Sequence, residues 1–253
     1  MFDTSDPDPD PDPARATDGP LADADVTPVA ALLAHPARAA MLWALSDGRA
    51  LPAGDLARAA RVVPSSASAH LAKLVAGGLV AAERHGRHRY FRSADPRLTA
   101  ALEALAAVSP PAPARDPKDA HAAREIRLAR TCYDHLAGWL GVQVADALAG
   151  SRLLALHDGE YALTPHAGAG LAAIGIDLER VAATAGRTRR PLVRACLDWS
   201  ERRYHVAGAL GAALVDRALA AGWVERRPSS RALKVTESGR RAFRRHFAIV
   251  LFG

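Results

Sequence analysis

The sequence has only two cysteines in 253 residues, Cys132 and Cys196. Two cysteines do not make the framework of a disulfide-stabilised secreted protein, so a metal, redox or packing role is expected for them. No apolar run approaches the roughly 20 residues that a membrane-spanning helix needs, and the first residues lack a basic segment followed by an apolar one. We therefore predict a cytoplasmic protein with no membrane association.

The signature motifs of common enzymes are also missing. The sequence has no Gly-x-Ser-x-Gly nucleophile elbow, no phosphate-binding glycine loop and no His-Glu-x-x-His pair. Two acid–base groupings exist, Asp134 with His135 and Asp198 with Glu201 and His205, but groupings of this kind arise often by chance. We expect a protein that is not an enzyme.

Charge is distributed unevenly along the chain. The formal net charge is +6, yet residues 1–25 hold eight aspartates and one arginine, which leaves the remainder at +13. Because proline removes backbone donors and the aspartates repel one another, we predict a disordered acidic tail over residues 1–25. The tail is either solubilising or a competitor of nucleic acid for a basic surface. The basic remainder suits a nucleic acid and would equally suit an anionic membrane surface.

Residues 51–92 have the pattern of a helix-turn-helix followed by a β-hairpin. A short helix over residues 51–60 is followed by Pro64, which is expected to stop it, and by Ser65 or Ser66 as a cap for a second helix. Gly77-Gly78 ends that second helix in the left-handed conformation that glycine tolerates best. The alternating residues that follow predict a hairpin that turns at residues 85–87.

The second helix can bury one apolar face and turn a polar face outward, a shape that fits the major groove of DNA. The hairpin gathers four arginines that can meet phosphates. The predicted DNA-binding residues are Ser65, Ser66, Ser68, Ala69, His70 and Lys73 on the helix, and Arg84, Arg87, Arg89 and Arg92 on the hairpin. Two alternatives stay open: the fold could serve protein contacts alone, and His70 could be a half-buried packing residue.

The run from Ser65 to Leu74, followed by Gly77-Gly78-Leu79-Val80 and a Gly-Arg-x-Arg-Tyr hairpin, resembles the ArsR/SmtB-type winged-helix transcription regulators. The match covers about residues 26–107. The resemblance implies a homodimer that binds operator DNA, with repression as the default and release by an effector. It also implies a dimer interface made by the first helix and by the helix after the hairpin. The alternative is that this later helix packs within its own subunit.

This sequence departs from the family pattern in two ways. Ala69 stands where these proteins often carry a basic or polar residue, so base readout would fall to Ser68, His70 and Lys73. The helix before the turn, residues 51–60, has no cysteine, and the helix after the hairpin, residues 96–107, has no histidine. The metal sites that define many metal sensors of the family therefore cannot be carried over.

Proline and capping residues divide the rest of the chain. Thr27 with Pro28 predicts the start of a first helix, Pro36 the start of a second, and Pro96 the start of the helix after the hairpin. The prolines of residues 109–117 predict a semi-rigid linker. We thus predict a tail (1–25), a winged helix-turn-helix domain for DNA binding and dimerisation (26–108), a linker (109–117) and an effector-sensing domain (118–253).

The second domain contains an internal repeat. His135-Leu136-Ala137-Gly138 matches His205-Val206-Ala207-Gly208, and each copy continues with a helix, a hairpin and another helix, over about 130–176 and 200–249. The predicted fold class is mainly α with small β-hairpin wings, in which an N-terminal winged helix precedes two winged-helix-like repeats packed against each other. One alternative stays open, that this domain also binds DNA, because it contains four closely spaced arginines: Arg240, Arg241, Arg244 and Arg245.

Each repeat places a cysteine two residues before an aspartate and close to a histidine. The metal or effector candidates are Cys132, Asp134, His135, Cys196, Asp198 and His205. Cys132 and His135, three apart, are expected on one face of a helix. If the repeats face each other, Cys196 and His205 would complete a thiolate–imidazole set for zinc or another divalent metal.

Three other interpretations of this group stay open. The cysteines could form a regulatory disulfide. They could be buried packing residues beside Trp139 and Trp199. A small organic effector could be held by the aromatic side chains of the domain, which are Trp139, Trp199, Tyr133 and Tyr204, together with His205.

The sequence as a whole predicts a homodimeric transcription regulator of the repressor type. It would bind double-stranded operator DNA through its N-terminal domain and respond to an effector through its C-terminal domain. The alternative is a protein that binds a metal or a small molecule and uses its winged helix for protein contacts only.

Overall fold

The computed structural model describes residues 24–85, 88–110, 117–227 and 230–251. Within these ranges the helices are α1 Thr27–Leu33, α2 Pro36–Ala44, α3 Ala53–Ala60, α4 Pro64–Ala76, α5 Pro96–Val108, α6 Pro117–Leu128, α7 Gly138–Gly150, α8 Ala167–Ile174, α9 Leu178–Thr188, α10 Gly208–Ala220 and α11 Glu237–Phe247. The strands are β1 Leu51–Pro52, β2 Val80–His85, β3 His88–Ser93, β4 Arg130–Cys132, β5 His135–Ala137, β6 Leu154–His157, β7 Glu160–Leu163, β8 Arg194–Leu197, β9 Tyr204–Ala207, β10 Val224–Arg226 and β11 Leu233–Val235. The predicted mainly helical fold with small antiparallel hairpins is confirmed.

Helices α1 to α5 and strands β1 to β3 form a winged helix. Strand β3 pairs with both β1 and β2, all antiparallel, so the hairpin becomes a three-stranded sheet. The helix predicted from Leu51 begins only at Ala53, because Leu51 pairs with Phe91 in the sheet. The hairpin turn at Gly86 and Arg87 lies outside the described residues.

Two predicted helix starts are wrong in their details. Pro64 lies in the first turn of α4, which Val63 caps without any side-chain bond, so neither Ser65 nor Ser66 is the cap. Proline suits this place because the first N–H groups of a helix have no partner within the helix. Thr27 likewise lies inside α1, after Val26.

The predicted starts of α2 and α5 are confirmed, and each helix has a side-chain cap. His35 Nδ1 accepts from the N–H of Ala37, and Asp95 accepts from the N–H of Arg97 at 2.7 Å. The core of this unit is built from the inward faces of α2, α3 and α4. Its fully buried members include Met41, Leu45, Leu56, Leu71 and Leu74.

The C-terminal part shows one order of elements twice: hairpin, helix, hairpin, helix. The first copy is β4-β5-α7-β6-β7-α8 and the second is β8-β9-α10-β10-β11-α11, with α9 between them. Helix α7 packs against β9 of the second copy, and α10 packs against β5 of the first. The two copies thus share one core, while a common origin for them stays a prediction.

Two glycines in each copy allow the helix to approach its hairpin closely. Gly138 and Gly208 open α7 and α10 with φ of +77° and +82°, which side chains disfavour. A Cβ on Gly141 would lie 2.5 Å from the Leu136 carbonyl oxygen, and one on Gly211 would lie 2.4 Å from that of Val206. The repeated glycines therefore fix the distance between helix and hairpin.

None of the helices in the described ranges combines the length and the apolar character that a membrane span requires.

We predict that Gly141→Ala destabilises the protein by roughly 1–3 kcal/mol, because the added methyl group must displace backbone atoms. Gly150→Ala is the matched control in the same helix, since a Cβ there meets nothing within 4 Å. It should leave stability unchanged or raise it by up to about 1 kcal/mol. Urea unfolding followed by circular dichroism measures both. Equal midpoints for the two variants would contradict the close packing.

Candidate functional site

Helix α4 presents a polar face to solvent, as its periodicity predicts. Ala67, Leu71 and Leu74 are buried against the other helices. Of the predicted DNA-binding residues on this helix, Ser65, Ser68, Ala69 and Lys73 are exposed, whereas Ser66 and His70 are half-buried. The exposed face is thus narrower than the predicted one, and it consists mostly of small side chains.

Two of the predicted readers have contacts within the chain. Ser68 Oγ donates to the Pro64 carbonyl at 3.0 Å. The His70 ring lies 4.4 Å, centroid to centroid, from the ring of His35. Partial burial and the nearby positive groups lower the pKa of His70 below its ordinary value, which favours the neutral ring. His70 is therefore both a packing residue and a candidate reader.

The arginines of the hairpin differ in whether they form an ion pair with a carboxylate. Arg84 and Arg89 are exposed and stand directly opposite each other in the β2–β3 ladder. Like charges in that position repel, so a phosphate between them would relieve the repulsion. Arg92 instead pairs with Glu83, which raises the pKa of Arg92. Arg87 lies outside the described residues.

A second site lies at the junction of the two C-terminal copies. Cys132 and His135 are cross-strand partners in β4–β5, and Cys196 and His205 are cross-strand partners in β8–β9. The predicted placement of Cys132 and His135 on one helix is therefore wrong. They flank a two-residue turn in which Tyr133 has φ of +57°, and residues directly opposite in a ladder share one face of the hairpin.

The four side chains converge, and we call them the Cys-His cluster: Cys132, His135, Cys196 and His205. One donor atom from each lies within 4.8 Å of the others. The two sulfurs are 4.0 Å apart and not joined by a disulfide, and the two imidazole ring centroids are 5.1 Å apart. His205 is completely buried, and Cys132 and His135 nearly so.

A carboxylate stands behind each imidazole of the Cys-His cluster. Asp134 Oδ1 lies 3.3 Å from His135 Nδ1, and Arg190 holds the same carboxylate with two bonds. Asp198 Oδ2 lies 3.4 Å from His205 Nδ1, too poorly aligned for a hydrogen bond. Neither aspartate belongs to the group of converging donor atoms. The Nε2 atoms of His135 and His205 are buried and have no hydrogen-bond partner in the described part of the chain.

The electrostatics of the cluster follow from these contacts. The hydrogen bond to Cys196, together with burial, raises the pKa of Cys132 to about 12, while the same bond lowers the pKa of Cys196. Burial alone would raise the pKa of Asp134, but the bonds from His135 and Arg190 outweigh it and lower the pKa to about 2. Burial opposes the protonation of His205, yet Asp198 and Cys132 raise its pKa overall. One thiol is therefore a donor to the other, and both carboxylates stay ionised.

The aromatic residues suggested for an organic effector do not share one place. Tyr133 packs beside Gly48, and Trp199 lies 5.9 Å from Trp43, both contacts with the winged helix. Tyr204 instead lies beside Gly159, in the turn of the β6–β7 hairpin.

A buried ion network that no sequence motif predicts joins the winged helix to the C-terminal copies. Glu103 on α5 accepts from Arg130 at 3.3 Å and from Arg231 at 2.7 Å. Arg130 also donates to Asp198 at 3.0 Å, and Asp198 accepts from the N–H of Gly138 at 2.7 Å. Two arginines and two carboxylates thus balance one another, and each is at most 3% exposed.

Aromatic rings shield this network from solvent. The Arg130 guanidinium lies 4.9 Å from the ring centre of Trp199, and that of Arg231 lies 4.4 Å from the ring centre of Trp43. A cation over an aromatic face is stabilised by the ring quadrupole, most strongly when it is desolvated. Neither Glu103 nor Arg231 lies in a sequence motif. The available signal was an acidic residue on the side of α5 that is buried, beside Thr99 and Leu102.

Comparison with known proteins identifies the family. Residues 33–82 match the family described as a helix-turn-helix domain. An uncharacterised HTH-type transcriptional regulator of Bacillus subtilis (strain 168), YdfF, is 40% identical over 225 residues, which are 89% of this chain and 98% of the relative. This chain is a helix-turn-helix transcriptional regulator.

Solved structures resemble a smaller part of this regulator. The cadmium sensor CMTR of Mycobacterium tuberculosis is 34% identical, with 36% of this chain and 93% of that chain covered and a TM-score of 0.30. NolR of Sinorhizobium fredii is 28% identical, with 34% and 84% covered and a TM-score of 0.31. The family assignment rests on the Bacillus relative, which covers the regulator nearly throughout. It agrees with a DNA-binding function.

We predict that Glu103→Ala costs about 3–5 kcal/mol of stability, because it leaves two buried arginines short of negative charge. Glu237→Ala is the control, since it removes a pair with Arg241 in which both side chains are mostly exposed. That change should cost less than about 0.5 kcal/mol. Chemical denaturation of both variants measures the difference. A loss below about 1 kcal/mol for Glu103→Ala would mean that the network contributes little to stability.

Proposed function

We propose that this regulator is a homodimeric repressor that binds operator DNA through α4 and the β2–β3 hairpin and responds to an effector at the Cys-His cluster. The DNA-binding part is carried by one observation: the exposed face of α4 belongs to the same unit as Arg84 and Arg89, the exposed pair of the hairpin. Helix and hairpin together supply base contacts and phosphate contacts, as winged helices do. Residues 26–108 would form this domain.

The dimer would use α1 and α5. Three of their apolar side chains stay in contact with solvent in the single chain: Val29 is 36% exposed, Leu105 50% and Val108 82%. A groove of about 650 Å³ beside them is lined by Trp43, Leu102 and Trp199. A second copy that covers this surface would remove it from water, which favours association.

The effector site would lie in the C-terminal domain, residues 118–253. Four metal-binding or redox-active side chains, three of them buried, converge in one place, and this convergence supports the assignment. A cavity of about 380 Å³, lined by Cys132, Cys196 and the first turn of α5, would give an effector access.

We expect the Arg84→Ala, Arg89→Ala double variant to bind operator and unrelated DNA more weakly alike. The slope of log affinity against log salt should flatten by about 0.9 for each phosphate that the variant no longer neutralises. Arg180→Ala with Arg187→Ala on α9 is the control, since it removes the same amount of charge. Fluorescence anisotropy titrations over a range of salt concentrations test this. An unchanged slope in the hairpin variant would refute the docking mode.

We expect Leu105→Glu with Val108→Glu to convert the dimer into a monomer, because the charges would be buried in the interface. Leu156→Glu is the control, since Leu156 is 45% exposed on β6 at a distance from α1 and α5 in the sequence. Sedimentation equilibrium gives the mass of each. A dimer that persists in the double variant would place the interface elsewhere.

A further inference from the structure

We propose that the Cys-His cluster is a tetrahedral zinc site whose occupancy is coupled to the DNA-binding unit through Asp198, Arg130 and Glu103. The coupling to DNA rests on the proposed operator binding, whereas the zinc site itself does not. Two thiolates and two imidazoles form one of the standard donor sets of zinc in proteins.

The geometry is close to what zinc requires. Zn–S and Zn–N bonds of the usual lengths place the donors of a tetrahedral site roughly 3.3–3.8 Å apart. The two sulfurs are 4.0 Å apart, and all four donors lie within 4.8 Å of one another. A disulfide would instead need the sulfurs at about 2.05 Å, a larger displacement.

The surroundings also suit a metal. Each histidine has a carboxylate near Nδ1 and a buried Nε2 with no hydrogen bond in the described part of the chain. Imidazoles that bind zinc usually donate their other N–H to such a carboxylate, which orients the ring. When zinc binds, each thiol releases its proton to solvent and forms a Zn–S bond, so no oxidation or reduction takes place.

The symmetry of the site explains why occupancy would change the shape of the protein. Each hairpin supplies one cysteine and one histidine, so neither copy holds zinc alone. Gly211 of α10 packs against His135, and Gly141 of α7 packs against His205. Each helix is therefore in contact with the histidine of the other copy, and a movement of that histidine would displace the helix. Drawing the donors together by up to about 1.5 Å would therefore move the two copies toward each other.

A direct path leads from this site to α5. Asp198 contacts His205 on one side and Arg130 on the other, and Arg130 donates to Glu103. The cavity beside the cluster is also lined by Pro96 and Thr99 of α5. Because α5 belongs to the proposed dimer interface, a shift of Arg130 would move Glu103 and with it α5. The α4 helix of one subunit would then change its position relative to the α4 helix of the other. Half-sites must lie about one helical turn, roughly 34 Å, apart, so affinity is sensitive to that position.

Direct titration tests the zinc site without DNA. The reduced full-length protein should take up one zinc per chain against a chromophoric chelator, and Co²⁺ in its place should give the visible absorption of tetrahedral sulfur coordination. The Cys132→Ser, Cys196→Ser variant should lose both signals. The His157→Ala, His166→Ala variant, which changes two exposed histidines, should keep them. No zinc uptake by the wild type, or equal uptake by the cysteine variant, overturns the site.

Operator titrations test the coupling. Zinc should change operator affinity by roughly 5- to 150-fold in the wild type and by less than twofold in the cysteine variant. By linkage, operator should change the zinc affinity of the wild type by the same factor, a measurement that needs no variant. Zinc uptake with equal operator affinity in both states overturns the coupling alone.

A positioning role for Glu103 has its own readout. Glu103→Gln should retain one zinc per chain but reduce the zinc-dependent change in operator affinity to less than twofold. Retention of the full change would exclude this path. Absence of any operator binding by the wild type would refute the proposed function and leave the zinc titration to be judged by itself.

Discussion

The arrangement of this protein depends on a small group of charges that is removed from water. Glu103 comes from α5, Arg130 and Arg231 come from the C-terminal copies, and all three are almost completely buried. An uncompensated buried charge costs several kcal/mol, so the winged helix and the C-terminal part are held in the one orientation that pairs these groups. The tryptophans above the guanidinium groups restrict that orientation further. The two units are therefore positioned by direct contact.

The same group of charges fixes the interior of the C-terminal part. Asp198 accepts from Arg130, from the first N–H of α7 and from residues of its own turn. The interactions of the carboxylate with His205, Arg130 and Ser200 outweigh the effect of burial and lower the pKa of Asp198, so the carboxylate remains ionised. The Asp198 side chain thus accepts from the N-terminus of α7 in the first copy, stabilises the turn after β8 in the second copy and contacts His205 of the Cys-His cluster.

Local patterns in the sequence predicted the winged helix well, because α4 and the hairpin are defined by near neighbours in the chain. The repeat also allowed the cysteines and histidines of the two copies to meet, on the condition that the copies face each other. The spacing of Cys132 and His135 was misread, since three residues fit one turn of a helix and also fit a tight hairpin turn. The structure distinguishes the hairpin turn from the helix by the positive φ of Tyr133, which a helix would not have. Glu103 was missed for another reason: its partners lie 27 and 128 residues away, and no periodicity marks such a pair.

A ligand site between two similar halves differs from a site within one half, because binding there can change how the halves are arranged. A ligand held by one hairpin would stabilise that hairpin and leave the angle between the halves unchanged. A ligand that needs a cysteine and a histidine from each hairpin binds only when the halves approach, so its binding free energy acts on their separation. In this chain the halves share one core, and Arg130 extends from the first hairpin into the winged helix. In the proposed coupling, a change between the halves would be transmitted as a movement of packed elements, and the ion network would direct that movement to α5.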